Sequence, residues 1–170
     1  MPKLTLLLAA TVIASSLSTA AAADTQAIAV WPVDPHVKIF RDNEPPESPG
    51  TVTLRAARNE YESGQIAFRT SGPLKGVGVE ITPLVHADGQ ATIDGEATAW
   101  NFVGFIPLAK NTPGSESLQL RAAPCHVPDP LLEDRTIDVQ ADSTQPVWIT
   151  VRVPEDALPG LYRGQISVVA

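Results

Sequence analysis

Residues 59–65 read Asn-Glu-Tyr-Glu-Ser-Gly-Gln, between two runs that alternate apolar and polar side chains. Glu60 and Glu62 are two positions apart, so on a strand both project from one face. Two close carboxylates are the raw material of general acid/base chemistry. A catalytic pair, however, faces itself across a cleft and is drawn from different strands. The residues around Glu60 suit a different role. A bend leaves backbone groups unpaired, and Arg58, Asn59 and Glu60 carry the side chains that satisfy them. We read Arg58, Asn59 and Glu60 as a structural corner.

Other chemistry-bearing residues are scattered. His36, His86 and His126 lie far apart, and only Cys125 and His126 are adjacent. Zinc sites carry short ligand spacings such as C-x2-C or H-x3-H, and none occurs. Asp129, Glu133 and Asp134 lack the ordered D-x-D-x-D spacing of a calcium loop, and a solvated acidic loop is expected. There is no Gly-rich phosphate cradle and no G-x-S-x-G. The expectation is no catalytic residue, no metal and no cofactor. Cys125 has no second cysteine to bond, and a buried, inert thiol is expected.

Four aromatic residues stand out: Trp31, Tyr61, Trp100 and Trp148. Trp100 lies in Trp-Asn-Phe-Val-Gly-Phe-Ile, apolar on both sides, and reads as core. Trp148 shares its face with Thr150 and Arg152, opposite Val147, Ile149 and Val151. An aromatic on a polar face either stacks on a ligand or packs against another domain. Trp148 and Arg152 are therefore candidates for a domain interface or a sugar-stacking surface.

The elements that position these residues follow from alternation. Val52, Leu54 and Ala56 face one way, Ile66 and Phe68 another, then Val77, Val79 and Ile81. Val147, Ile149, Val151 and Val153 are the clearest set. With runs at 28–33, 37–40, 98–106, 136–139 and 162–169, the chain has eight or nine strands. Gly/Pro-rich turns at 43–50, 71–76, 86–90, 110–117 and 154–160 separate them. Sixteen prolines make long helices improbable. The fold class is all-β: an antiparallel β-sandwich, immunoglobulin-like or jelly-roll-like.

Residues 1–23 have the layout of a secretory signal peptide: Lys3, an apolar run over 4–17, then small residues. Ala21 and Ala23 suit the positions before a cut, so Asp24 is the expected start, with Ala20 as an alternative end. The run is too short and too rich in Ser and Thr to span a bilayer. Losing Lys3 takes the formal net charge from −7 to −8. An acidic chain without a basic cluster argues against nucleic acid or a membrane as partner. Export, to the periplasm or outside the cell, is expected. Residues 24–170 then form a single domain, and the apolar Gly-Gln-Ile-Ser-Val-Val-Ala ending suggests a longer natural chain.

Four ordered motifs carry a resemblance: VWPVDPHVKIFRD (30–42), AARNEYESGQIAF (56–68), PDPLLE (128–133) and PVWITVRVPEDALPGLYRGQISV (146–168). Together they resemble the N-terminal β-sandwich of glycoside hydrolase family 123 and its uncharacterised bacterial relatives. The resemblance implies a sandwich that precedes a (β/α)-barrel, and hydrolysis of β-linked N-acetylhexosamines by that barrel. The substrate's acetamido group would act as nucleophile, oriented by a carboxylate of a consecutive Asp-Glu pair. No Asp is followed by Glu in this chain. The chain alone is thus expected to be a non-catalytic accessory domain, partnered by a C-terminal catalytic domain if the chain continues. It becomes part of a glycoside hydrolase only in that longer form. For Trp148, packing against such a domain is then favoured over a glycan. The alternatives are a free-standing carbohydrate-binding module or a structural cell-surface domain.

Overall fold

The structure, a computed structural model, describes residues 4–12, 27–48, 50–114, 117 and 119–170, with the backbone alone for 7–12. Two sheets face each other. One is built from β2 (Ile28–Val33), β4 (Tyr61–Thr70), β11 (Ser143–Arg152), β8 (Thr98–Leu108) and β9 (Cys125–Leu131), in that spatial order. The other runs β10 (Ile137–Val139), β5 (Leu74–Ile81), β12 (Leu161–Val169), β1 (Leu4–Val12) and β3 (Thr51–Ala56). Short strands β6 (Leu84–His86) and β7 (Thr92–Ile93) extend it beside β12. A 3-10 turn at Gly95–Ala97 leads into β8.

Alternation explains which side chains meet between the sheets. Ile66 and Phe68 of β4, Val147, Ile149 and Val151 of β11, and Phe102 of β8 are all fully buried. Val52 and Leu54 of β3, Ile166 and Val168 of β12, and Val77 of β5 close on them from the other sheet. Removing such side chains from water, at about 25 cal/mol per Å2 of apolar surface, is what holds the two layers together. Gly64 sits in β4 because β3 passes close over it: a Cβ there would lie 2.8 Å from Val52 Cγ1.

Three expectations after residue 28 need correction. Residues 37–40 are not a strand but part of a strap, residues 34–43, over the outer face of the five-stranded sheet. Its backbone bonds in turns and to side chains instead of a ladder: Val37 N–H donates to the Asp34 carbonyl at 2.9 Å, Gln65 Nε2 donates to the Val37 carbonyl at 3.1 Å, and Phe40 N–H donates to Asn43 Oδ1 at 2.6 Å. Beneath it Trp31, Ile39 and Ala67 form a second small core. Second, Asp129 belongs to a strand, β9, and not to a loop. Third, Cys125, the first residue of β9, is half-buried, since it sits at the sheet's end opposite Leu108.

No strand was expected before residue 28, yet β1 lies in the seven-stranded sheet. A short apolar run reads equally as a leader core or as a buried strand, because periodicity cannot separate them. β1 pairs in parallel with β12, whereas the other described pairs are antiparallel. The expected cut near Ala23 falls outside the described residues.

Charge pairs on the seven-stranded sheet and its connections set an acid limit. Lys75 Nζ lies 2.6 Å from Asp138 Oδ2, and this contact, then the Gly76 N–H, hold the Asp138 carboxyl below its ordinary 3.8. The Gln90 N–H, then the His86 ring, do the same for Asp88. A carboxyl with a lowered folded pKa contributes stability above about pH 3.8 and loses it as pH falls toward the folded value. Melting temperature should therefore hold from about pH 6 to 4 and decline below that. Asp138→Asn should flatten part of the decline; an unchanged profile would remove this pair from the explanation.

Candidate functional site

Two concavities adjoin the strap, which forms the wall between them: Pro35 and His36 line both. The larger, about 610 Å3, opens where β3 meets β2 and β4, with Thr51, Thr53, Arg55, Glu62 and Ser63 on its walls. Its carboxylates do not resemble a catalytic pair. Asp34 accepts from the His36 N–H at 2.8 Å, and that bond, then the His36 ring, lowers its pKa. A carboxyl held ionised in this way is a poor proton donor at neutral pH. Glu62 Oε1 accepts from the neighbouring Ser63 N–H at 3.3 Å.

The smaller hollow, about 310 Å3, has Trp148 in its lining. Trp148 stands in the outward row Gln65–Trp148–Asn101 across β4, β11 and β8. Both polar neighbours are committed elsewhere: Gln65 to the strap, and Asn101 Nδ2 to the Leu132 carbonyl at 2.7 Å. The indole is half-buried, and beside it Val37 and Leu131 are 49% and 47% exposed. Lys38 closes the rim, with Nζ 2.7 Å from Asp129 Oδ1 and donating to the Pro128 carbonyl at 2.9 Å. An apolar floor inside a polar rim is the anatomy of a protein-docking patch.

Arg152 lies at the far end of the same face, exposed, opposite Tyr61, which is 69% exposed. It ends β11, a full turn of the pleat beyond Thr150, so it and Trp148 do not share one pocket. Alternation in the sequence placed Trp148 and Arg152 on the outward face, where the structure has them. It missed Val37, Lys38 and Leu131, because only the strap and β9 bring them to Trp148. The signal was the pair of turn residues Asp34-Pro35, which breaks the alternation before 37–40.

Arg58, Asn59 and Glu60 occupy the β3–β4 turn. Asn59 has φ of 62°, a conformation Asn tolerates better than most residues. Glu60 Oε2 accepts the Ala57 N–H at 2.7 Å, and Arg58 Nε donates to the Ala157 carbonyl at 2.7 Å. Asn59 N–H and the Glu60 carbonyl bond the Val153 backbone. This turn is thereby tied to the 154–160 turn, where Tyr162 OH donates to the Leu158 carbonyl at 3.0 Å. Trp31 is buried under the strap, and Trp100 packs on the main core beneath Arg135, 5.0 Å from its ring. His36 pairs with Asp34 and His86 with Asp88; among the described residues no three His, Cys, Asp or Glu side chains converge as a metal site.

Residues 33–170 match the family described as the glycoside hydrolase 123 N-terminal domain. The chain belongs to that family. Among solved structures, a family 123 glycoside hydrolase from Clostridium perfringens, reported for glycolipid glycan hydrolysis, is similar with a TM-score of 0.55. Identity is 19% over 66% of this chain, a likeness that shows the fold alone. The match covers 18% of that enzyme's chain, so this chain corresponds in fold to a small part of that polypeptide. No curated protein matches the chain.

Proposed function

We propose that this family 123 N-terminal domain is a non-catalytic accessory domain of an exported polypeptide, and that it docks a catalytic domain through the Trp148 hollow. The observation that carries the reading is the half-buried indole between exposed Val37 and Leu131, inside the Lys38–Asp129 rim. A partner side chain inserted there removes apolar surface from water without breaking a bond the domain already makes. Export rests on the leader pattern of residues 1–23. The exposed Tyr61 beside Arg152 favours a second reading, a sugar-stacking platform on the same sheet.

Tryptophan emission separates the two. The difference spectrum between wild type and Trp148→Phe isolates Trp148 from the two other tryptophans. In a polypeptide that also carries a family 123 catalytic domain, this spectrum should lie to the blue of the one from the 170-residue chain. N-acetylgalactosamine-containing glycans should leave the shorter chain's spectrum unchanged. A saturable glycan-dependent shift in the short chain, with no effect of the catalytic domain, would make the domain a sugar-binding module.

A further inference from the structure

β3 and β12 do not touch as a pair; β1 lies between them, bonded on both sides. Thr5 to Val12 run against Leu161 to Val168, and Leu4 to Ala9 against Ala56 to Thr51. Leu4 and Leu6 are fully buried in the main core, and Leu6 sits in one row with Leu54 and Tyr162. Yet these residues belong to the segment whose pattern is that of a removable leader. Cutting it away would empty two leucine sockets and leave facing rows of unpaired backbone groups on β3 and β12, an arrangement proteins do not leave open.

We propose that the gap between β3 and β12 is a strand-acceptor site. Residues 4–12 fill it in the uncut chain; after the leader is removed, an extended apolar segment of the catalytic-domain polypeptide takes their place. This rests on the accessory-domain reading above. The gap cannot simply close, because its walls are fixed independently. β3 is held by the corner bonds to Val153 and Ala157 and by its close approach to Gly64. β12 is held by its pairing with β5. The occupant's chemistry follows from the sockets: aliphatic side chains at alternate positions and no charge on the inward face. Its source follows from direction. Val12 pairs with Val168, so polypeptide continuing beyond Val169 emerges at that end of the gap. From there it can turn back beside β12 as an antiparallel strand, a connection that needs only a tight turn. Strand addition of this kind draws affinity from main-chain bonds and specificity from alternate pockets.

The test uses the whole 170-residue chain with a protease site placed within residues 13–26, folded first and then cut. The probe is a fluorescent synthetic peptide of residues 1–15. The cut leader should remain bound through gel filtration and be displaced by the labelled peptide in a saturable way. A peptide carrying Leu4→Asp and Leu6→Asp should bind at least about tenfold more weakly. The polypeptide that carries the catalytic domain, with its leader removed, should take up no peptide, its gap being already filled. Four results would overturn the proposal. They are a cut chain that keeps its melting temperature without leader or peptide, lost fold that the peptide does not restore, self-association that excludes the peptide, and equal peptide uptake by the longer polypeptide. The Trp148 emission of that polypeptide reports docking separately, so failure of the gap and failure of the docking reading remain distinguishable.

Discussion

Phe68→Ala lowers the stability of the chain by about 3–5 kcal/mol, the usual range for truncating a buried aromatic. Phe68 is fully buried in β4, facing the opposite sheet, with Val30 and Gln145 as its cross-strand neighbours. Both neighbours belong to strands laddered to β4, so collapse into the cavity is restricted and the lining loses its contacts. Phe68→Leu keeps much of the volume and should cost less than half as much. Urea unfolding followed by circular dichroism measures both. A loss under about 1 kcal/mol for the alanine variant would mean that the two sheets are not closed on one another at this point.

Gly160→Ala is expected to cost about 2–4 kcal/mol, from backbone strain together with a steric conflict. Gly160 has φ of 152°, and an added Cβ would sit 2.1 Å from His86 Nε2. The imidazole cannot swing aside freely. Its Nδ1 is 2.6 Å from Asp88 Oδ1, and its ring packs edge-on to Tyr162 at 4.9 Å. Gly89→Ala is the control: φ is 77°, but nothing lies within 4 Å of its Cβ, so only the backbone cost of about 1–2 kcal/mol remains. Equal losses at the two positions would show that the Gly160–His86 contact carries no energy.

How much of this was legible in the sequence depended on whether the determinant was local. The buried faces of β3, β4 and β11 were legible because alternation in Val52-Leu54-Ala56 or Val147-Ile149-Val151 is set by the pleat of each strand alone. The Trp148 hollow was half legible. The indole's outward direction follows from its neighbours, but Val37 and Leu131 reach it only through the strap and β9, and neither has a local signature. Alternation at 37–40 suggested a strand; Gln65 and Asn43, as side-chain partners of the strap backbone, decided otherwise. β1 was hidden for a different reason. An apolar run long enough for a leader core also satisfies a buried strand, and only pairing with β3 and β12 distinguishes the second use.

The Asp-Ala-Leu-Pro-Gly-Leu-Tyr stretch shows the same division. Its residues read as a turn from composition. Their role, a corner clasp between Arg58, Ala157, Leu158 and Tyr162, emerges from partners far apart in the chain, Arg58 above all. Family resemblance located the motif; the hydrogen bonds say what it does.

Whether the domain is a scaffold or an enzyme is tested most directly by turnover. The purified 170-residue chain is incubated with chromogenic β-N-acetylgalactosaminide and β-N-acetylglucosaminide, and release is compared with buffer. Substrate-assisted cleavage needs a protonated acid and an orienting carboxylate fixed around the sugar ring. Here Asp34 is held ionised by His36, and Asp129 is paired with Lys38. Release should equal the buffer rate. Turnover above buffer that Asp34→Asn or Glu62→Gln abolishes, with the fold intact, would contradict the scaffold reading and make the larger concavity an active site.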